Sequence, residues 1–348
     1  MSMMDQLAMV CERAAADGLL HGAVLAAGTR EGLPVLHAWG DASVDPDREA
    51  MTVDAVFDVA SVTKVVATAS ACGICIDQGM LDPNAAVADY LPGIGSFGVA
   101  PIRVRDLATH TSGFDNRKFD HLEPDEMLVA MVETPAQWAP GERFTYSCRN
   151  YVVLGLLVER VAGLDLGSFC ECHVFEPCGM SETRFGPLAT GLDRVVPTAV
   201  APGITSDEQA RHARRPVGNA GIFSTAADLA LLCQMILNGG RVGECVVLGQ
   251  NALHWLLNEQ SPPGLPRRSF GWDMASVAES PCRPASMSTV AIGHSGWTGQ
   301  SVWIDPELGV FTIVLTNRTH CPGRGDNYVD SKRFRSAVAD LMCRGLVG

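Results

Sequence analysis

Strand-like runs stand at both ends of this chain, and a long helix-patterned stretch lies between them. Behind a helix over residues 3–17, GAVLAAGTR and LPVLHAWGDAS read as two strands around a Gly-containing turn. Near the C-terminus FGWDM, VAIGHSG, GQSVWIDP and VFTIVLTNR are β-rich runs parted by turn residues, and SKRFRSAVADLMCRG closes as a helix. A sheet fed from both ends makes the middle an insertion into a mixed α/β (α+β) domain. We expect residues 1–60 and 268–348 to form that discontinuous domain and residues 61–267 a mainly helical region, with the active site at the junction. The length of 348 residues, beyond the ~250–300 at which one core usually divides, agrees.

The segment SVTKVVATASACGICIDQ, residues 61–78, is broken by neither Pro nor Gly except Gly73, and Gly79 supplies a stop. Being apolar nearly all round, it predicts a buried helix. LVAMVETPAQ, YVVLGLLVERVAG and TAADLALLCQMILNGG predict further helices, joined by Pro/Gly-rich loops. Most of the twelve cysteines lie in apolar stretches, which points to reduced, packed thiols. Cys170, Cys172, His173 and Cys178 form the one dense cluster of possible ligands; core packing is the favoured reading and no metal or cofactor is expected.

The net charge of −13 argues against nucleic acid or an anionic membrane as partner, since either calls for clustered Lys and Arg. The start of the chain has no basic stretch before an apolar run, and no uninterrupted apolar run approaches ~20 residues. A soluble cytoplasmic protein is expected, or a periplasmic one if a leader has been removed. Arg324-Gly325-Asp326 is an adhesion-like tripeptide, read as coincidence in a chain with 35 glycines.

Only three of the 26 basic residues are lysines: Lys64, Lys118 and Lys332. Lys64 follows Ser61 by one helical turn, so the amine and the hydroxyl share a face at a helix N-terminus. That pairs a nucleophile with a base, provided burial or nearby positive potential brings the amine into range. Two of the four tyrosines, Tyr146 and Tyr151, fall in the loop PGERFTYSCRNY that enters a helix. A Tyr146 phenol beside Lys64 would complete an acid/base pair. In the third element, Gly293-His294-Ser295-Gly296-Trp297-Thr298-Gly299, small residues let a substrate approach an exposed strand whose free N–H can face an oxyanion. His110 in Thr-His-Thr-Ser-Gly reads as a structural hydrogen-bonding residue, and Trp138, Trp272, Trp297 and Trp303 as core or cleft packing.

Ser61-x-x-Lys64, Tyr146-Ser-x and His294-Ser-Gly, in this order and at these distances, resemble the serine β-lactamase and penicillin-binding protein superfamily. The nearest likeness is to its class C β-lactamase, D,D-peptidase and carboxylesterase branch. Residues 106–113, 140–142, 179–183, 219–225 with Asp228, and 299–305 look like the same branch, so the likeness runs from about residue 20 to 320. The sequence has no Ser-Asp-Asn element of the class A set, which favours the Tyr-containing branch. The resemblance implies a β-lactamase/transpeptidase-like fold: an antiparallel sheet flanked by N- and C-terminal helices, with a large helical insertion. It implies that Ser61 forms an acyl-enzyme, that Lys64 and Tyr146 share its proton, and that the backbone N–H groups of Ser61 and Trp297 form the oxyanion hole. Cys148, His294, Ser295 and Gly296 would line the substrate site.

Two departures shape the expected activity. Cys148 stands where the family usually has Asn, and a thiol recognises an acylamide poorly. His294 stands where a lysine commonly provides fixed charge for a β-lactam carboxylate. The expected substrates are therefore small esters, amides or D-peptides, with weak β-lactam turnover. The rival expectation is a catalytically silent binding or assembly protein that retains the fold.

Overall fold

The computed structural model describes residues 1–95, 101–320 and 327–348; the Arg324-Gly325-Asp326 tripeptide lies outside them. Strands β1 (Gly22–Thr29), β2 (Val35–Ser43) and β3 (Glu49–Ala50) come from the N-terminal part. Two short strands pair with a third from the middle of the chain: β4 (Phe57–Asp58), β5 (Arg184–Phe185) and β6 (Ile222–Ser224), in the order β4-β6-β5. Arg241–Val242 (β7) and Cys245–Val246 (β8) make a small hairpin. The C-terminal part supplies β9 (Ile292–Ser295), β10 (Ser301–Asp305) and β11 (Val310–Thr316). The main sheet has six antiparallel strands in the order β3-β2-β1-β11-β10-β9, and its central pairing joins β1 to β11 with Leu25 opposite Val314.

Side-chain alternation in the central strands explains why helices cover both faces of this sheet. Ala23, Leu25 and Ala27 of β1 and Val314 of β11 turn to one side. There they pack with Leu7 and Cys11 of the helix Met3–Ala16 and with Phe334, Val338 and Met342 of the helix Tyr328–Val347. Val24, Ala26, Phe311, Ile313 and Leu315 turn to the other side and join the large core of the helical region. With apolar residues on both faces, these strands read as continuous apolar runs rather than as alternating ones.

Most helices in the middle fall where periodicity placed them, including Pro124–Glu133, Cys148–Ala162 and Ala226–Leu237. Ala60–Asp77 is apolar and long enough to cross a membrane by length and composition, yet 89% of it is buried inside the protein. It is not a uniform α-helix: a 3₁₀ turn at Ala60–Val62 passes into a π-helical stretch at Lys64–Ala69 before the α-helix Ser70–Asp77. The Ser70 hydroxyl donates to the Val65 carbonyl five residues back at 3.1 Å, within this widened turn. Such widened turns recur at functional sites.

FGWDM, expected as a strand, makes only isolated bridges at Asp273, to Arg268 and Gly293. Gly271 there has φ +105° and lies where a Cβ would come within 2.9 Å of the Ala69 side chain, so the chain turns instead of extending. Cys170 and Cys178 are buried in the helical core while Cys172 is exposed. Among the described residues no group of three His, Cys, Asp or Glu side chains converges as a metal site, and eleven cysteines are free thiols.

Candidate active site

Ser61 sits in the 3₁₀ turn directly after Ala60, whose φ of +46° is unusual for a residue with a Cβ. The buried Asp58 carboxylate accepts the Ala60 N–H at 2.8 Å and the Ser206 N–H at 2.7 Å, holding this turn in place. Its main-chain carbonyl accepts from Thr298 Oγ1 at 2.8 Å and Gln300 Nε2 at 3.1 Å, which tethers the β9–β10 turn to the Ser61 segment. Burial pushes the Asp58 carboxyl above its ordinary value, and the hydrogen bonds from Ser206 and Ala60 only partly oppose it.

Lys64 is fully buried. Its ammonium donates to Ser61 Oγ at 3.0 Å and to the Asn219 carbonyl at 2.6 Å, and lies 3.7 Å from Cys148 Sγ. The rings of Tyr146 and Tyr151 are centred 5.3 and 5.6 Å from the same nitrogen. Tyr146 arrives on a loop tied to the segment around His110: Gly141 N–H donates to the Thr111 carbonyl at 2.7 Å and Thr145 N–H to the His110 carbonyl at 2.9 Å. It is 36% exposed and lines a cleft of about 760 Å³ together with Ser61, Cys148, His294, Ser295 and Trp297.

Burial is the strongest influence on Lys64 and acts to lower its pKa. Interactions with Cys148, Tyr146 and Asp207 together outweigh it, leaving the ammonium above its ordinary value. Tyr146 is also raised: its ring is partly open to the cleft, but enclosure of its hydroxyl exceeds the opposing pull of the Lys64 ammonium and of hydrogen bonding with Ser61 and Lys64. At rest the pair is therefore an ammonium beside a neutral phenol. It accepts a proton from Ser61 only after losing one, and that loss belongs to the pair rather than to either residue.

The backbone N–H groups of Ser61 and Trp297 have no hydrogen-bond acceptor among the described residues. Gly296 explains how the two segments meet: a Cβ at this position would stand 2.5 Å from the Val59 carbonyl oxygen. Trp297 itself is 53% exposed beside the cleft, whereas Trp272 and Trp303 are buried in the core. Arg335 donates to the Gln300 carbonyl and braces the turn from below.

His294 is nearly sealed, its Nδ1 hydrogen donating to the Ser295 carbonyl at 3.1 Å. Burial, and after it the charges of Arg268 and Lys64, hold its pKa well below the ordinary histidine value. The position is thus a neutral imidazole. Asn150 does not stand in for the missing amide of Cys148: it is buried, accepts from Ser112 Oγ at 2.6 Å and faces His110 Nδ1 at 3.2 Å.

Three contributors escaped the sequence reading. Asn219 acts through its main-chain carbonyl, which has no residue-type signature, although its segment had been marked by resemblance. Asp58 acts from beneath the turn, and Arg268 reaches the cleft wall from just before the FGWDM run, where the sequence reading singled out no residue. His110, read as structural, is buried and packs directly on Tyr146.

The family model described as Beta-lactamase matches residues 11–332. The chain is 29% identical over 334 residues to an Escherichia coli (strain K12) protein named "Putative D-alanyl-D-alanine carboxypeptidase", covering 85% of this chain and 76% of that one. Two solved structures share the fold. EstCE1, described as a hydrolase with promiscuous acyltransferase activity, matches at TM-score 0.78 and 21% identity over 99% of this chain and 98% of its own. A penicillin-binding protein homologue from Caulobacter crescentus matches at TM-score 0.79 and 20% identity, again over 99% and 98%. The chain belongs to the Beta-lactamase family.

Proposed function

We propose that the protein is an acyl-serine hydrolase that cleaves small esters or amides, D-peptides among them, and turns over β-lactams poorly. The observation that carries this reading is the 3.0 Å contact from Lys64 Nζ to Ser61 Oγ at the edge of an open cleft, with the Tyr146 ring beside the same ammonium. Names borne by relatives and neighbours, a D-alanyl-D-alanine carboxypeptidase and a hydrolase with acyltransferase activity, support acyl transfer as the reaction class.

Ser61 Oγ attacks the substrate carbonyl while its proton passes to the singly deprotonated Lys64–Tyr146 pair. The N–H groups of Ser61 and Trp297 stabilise the oxyanion, a contribution of roughly 3–4 kcal/mol per donor in comparable enzymes. The C–O or C–N bond then breaks, and Tyr146 returns the proton to the leaving group. Water enters, gives its proton to the pair, and releases the acid from Ser61. The neutral His294 and the thiol of Cys148 offer little to a β-lactam's carboxylate and acylamide, which supports the preference for simpler substrates.

The test is a panel of p-nitrophenyl esters, D-aminoacyl anilides and nitrocefin, run on the wild type and on Ser61→Ala. Ester or anilide hydrolysis that disappears in Ser61→Ala is expected. Nitrocefin turnover at the rate of a dedicated β-lactamase, or ester hydrolysis that survives in Ser61→Ala, contradicts the reading.

A further inference from the structure

Lys64 is fully buried, so its amine takes its position from its protein partners. Ser61 Oγ is the partner that reacts, and the Cys148 sulfur at 3.7 Å is a weak acceptor. The Asn219 carbonyl, at 2.6 Å, is therefore the contact that fixes the amine. That carbonyl stands in a tight turn closed by the bridge between Val217 and Ala220. Gly218 lets the turn press on the helix Cys148–Ala162, where a Cβ would come within 2.1 Å of the Tyr151 carbonyl oxygen. Thr68 Oγ1 donates to the Gly218 carbonyl at 2.7 Å. Lys64 and Thr68, one helical turn apart in the π-helical stretch, thus grip two successive carbonyls.

The Asn219 side chain ties this turn to the cleft. It is fully buried, its Oδ1 has no partner among the described residues, and its Nδ2 donates to Asp207 Oδ1 at 3.1 Å. A buried amide unmatched at one end is costly, so the bond to Asp207 is what gives this one its orientation. The same Asp207 oxygen accepts the Ala210 N–H at 2.8 Å, which fixes the carboxylate in turn. Asp207 is half-buried and lines the Ser61 cleft. It has no ion-pair partner among the described residues, its neighbour Glu208 being the one that takes Lys118. The Asp58 carboxyl and the Lys118 ammonium act on it from further off. Around Lys64 stand the Tyr146 and Tyr151 rings, Cys148, and the imidazoles of His110 and His294, both held neutral chiefly by burial, with Arg268 on the same cleft wall. Asp207 is the carboxylate that acts on this ammonium, and it acts to keep it charged.

We propose that Asp207 is a positioning residue for acyl transfer at Ser61, acting on Lys64 through Asn219. Its carboxylate orients the residue whose carbonyl anchors the amine, and its negative charge faces that amine across the same residue. This rests on the acyl-serine reading and specifies what holds its base. The two effects separate by substitution. Orientation requires only an acceptor at position 207, because Asn219 Nδ2 and the Ala210 N–H are both donors. Asp207→Asn keeps an acceptor and removes the charge. Without that charge the ammonium gives up its proton more readily, so the Lys64–Tyr146 pair acts as a base at lower pH.

The experiment follows kcat/KM for p-nitrophenyl butyrate, a neutral ester, from about pH 6 to 10, with the Ser61→Ala rate subtracted at each pH. In Asp207→Asn the alkaline rise is expected to move to lower pH, so that activity near neutrality, as a fraction of the plateau, grows roughly threefold or more. In Asn219→Ala, kcat is expected to fall roughly tenfold while KM stays within about twofold of the wild type. A profile in Asp207→Asn that superimposes on that of the wild type overturns the proposal, and so does an unchanged kcat in Asn219→Ala. Should Asn219→Ala fail to fold, the Asp207→Asn profile decides alone. In either failure, hydrolysis that depends on Ser61 leaves the acyl-serine reading standing. Wild-type hydrolysis no faster than that of Ser61→Ala removes that reading, and the role of Asp207 with it.

Discussion

The imidazole of His110 lies against the phenol ring of Tyr146, with ring centres 4.5 Å apart and planes tilted by 33°. His110 Nδ1 accepts the Ser147 N–H at 3.2 Å and stands 3.2 Å from Asn150 Nδ2, so both neighbouring donors meet the same nitrogen and its proton sits on Nε2. One side chain thereby fixes the residue after Tyr146 and supports the face of its ring. His110 is a positioning residue in this arrangement.

His110→Ala should therefore lower kcat for an ester substrate by roughly 10- to 100-fold with little change in KM, because the phenol loses its support while the cleft wall remains. Steady-state kinetics at several pH values check this. A rise in KM with kcat unchanged would mean that His110 shapes the pocket and does not aim the phenol.

The rate should rise with pH. Both Lys64 and Tyr146 stand above their ordinary values, so near neutrality the pair holds one proton too many to act as a base. The profile of kcat/KM should climb through the alkaline range with an apparent pKa belonging to the pair. Tyr146→Phe should flatten the climb as well as slow the reaction. A profile already level below neutrality would show that the base is deprotonated at rest.

Stability should also rise with pH, failing on the acid side. His110 and His294 both have folded pKa values depressed well below 6.5, with burial the leading cause and cationic neighbours adding to it. As pH falls below about 6.5 the unfolded chain takes up protons that these two rings refuse, so stability is lost. Each contributes a slope of up to ~1.4 kcal/mol per pH unit in that window. Thermal unfolding between pH 7.5 and 5 should give a falling Tm, with a shallower fall in His294→Asn. A Tm that holds steady across this interval would contradict the assignment of both rings as neutral.

β-Lactam turnover should be recoverable. Cys148 Sγ lies 3.7 Å from Lys64 Nζ, so an amide placed there can bond both to the ammonium and to an acylamide. Cys148→Asn should raise nitrocefin kcat/KM, and adding His294→Lys should raise it further by restoring fixed charge. No gain from either change would place the barrier in the shape of the cleft.

Much of this site was legible because its chemistry follows short spacings. Lys64 stands three positions after Ser61, and that offset survives even though the turn is 3₁₀ and π-helical where a plain α-helix was expected. The sheet was legible from β1, β2, β10 and β11, whose apolar runs are continuous because helices cover both faces. FGWDM misled because β-rich composition says nothing of Gly271 turning against Ala69 at φ +105°. Asn219 was hidden because its carbonyl is common to every residue. Arg268 was hidden because a place on the cleft wall is a property of the folded neighbourhood.

The most direct test of the central claim is to treat the protein with a fluorophosphonate probe and map the adduct by peptide mass spectrometry. A single adduct on Ser61 is predicted, absent in Ser61→Ala and formed far more slowly in Lys64→Ala and Tyr146→Phe. An adduct on another residue, or no adduct in folded wild-type protein, would contradict the account and favour a silent scaffold that has kept the fold.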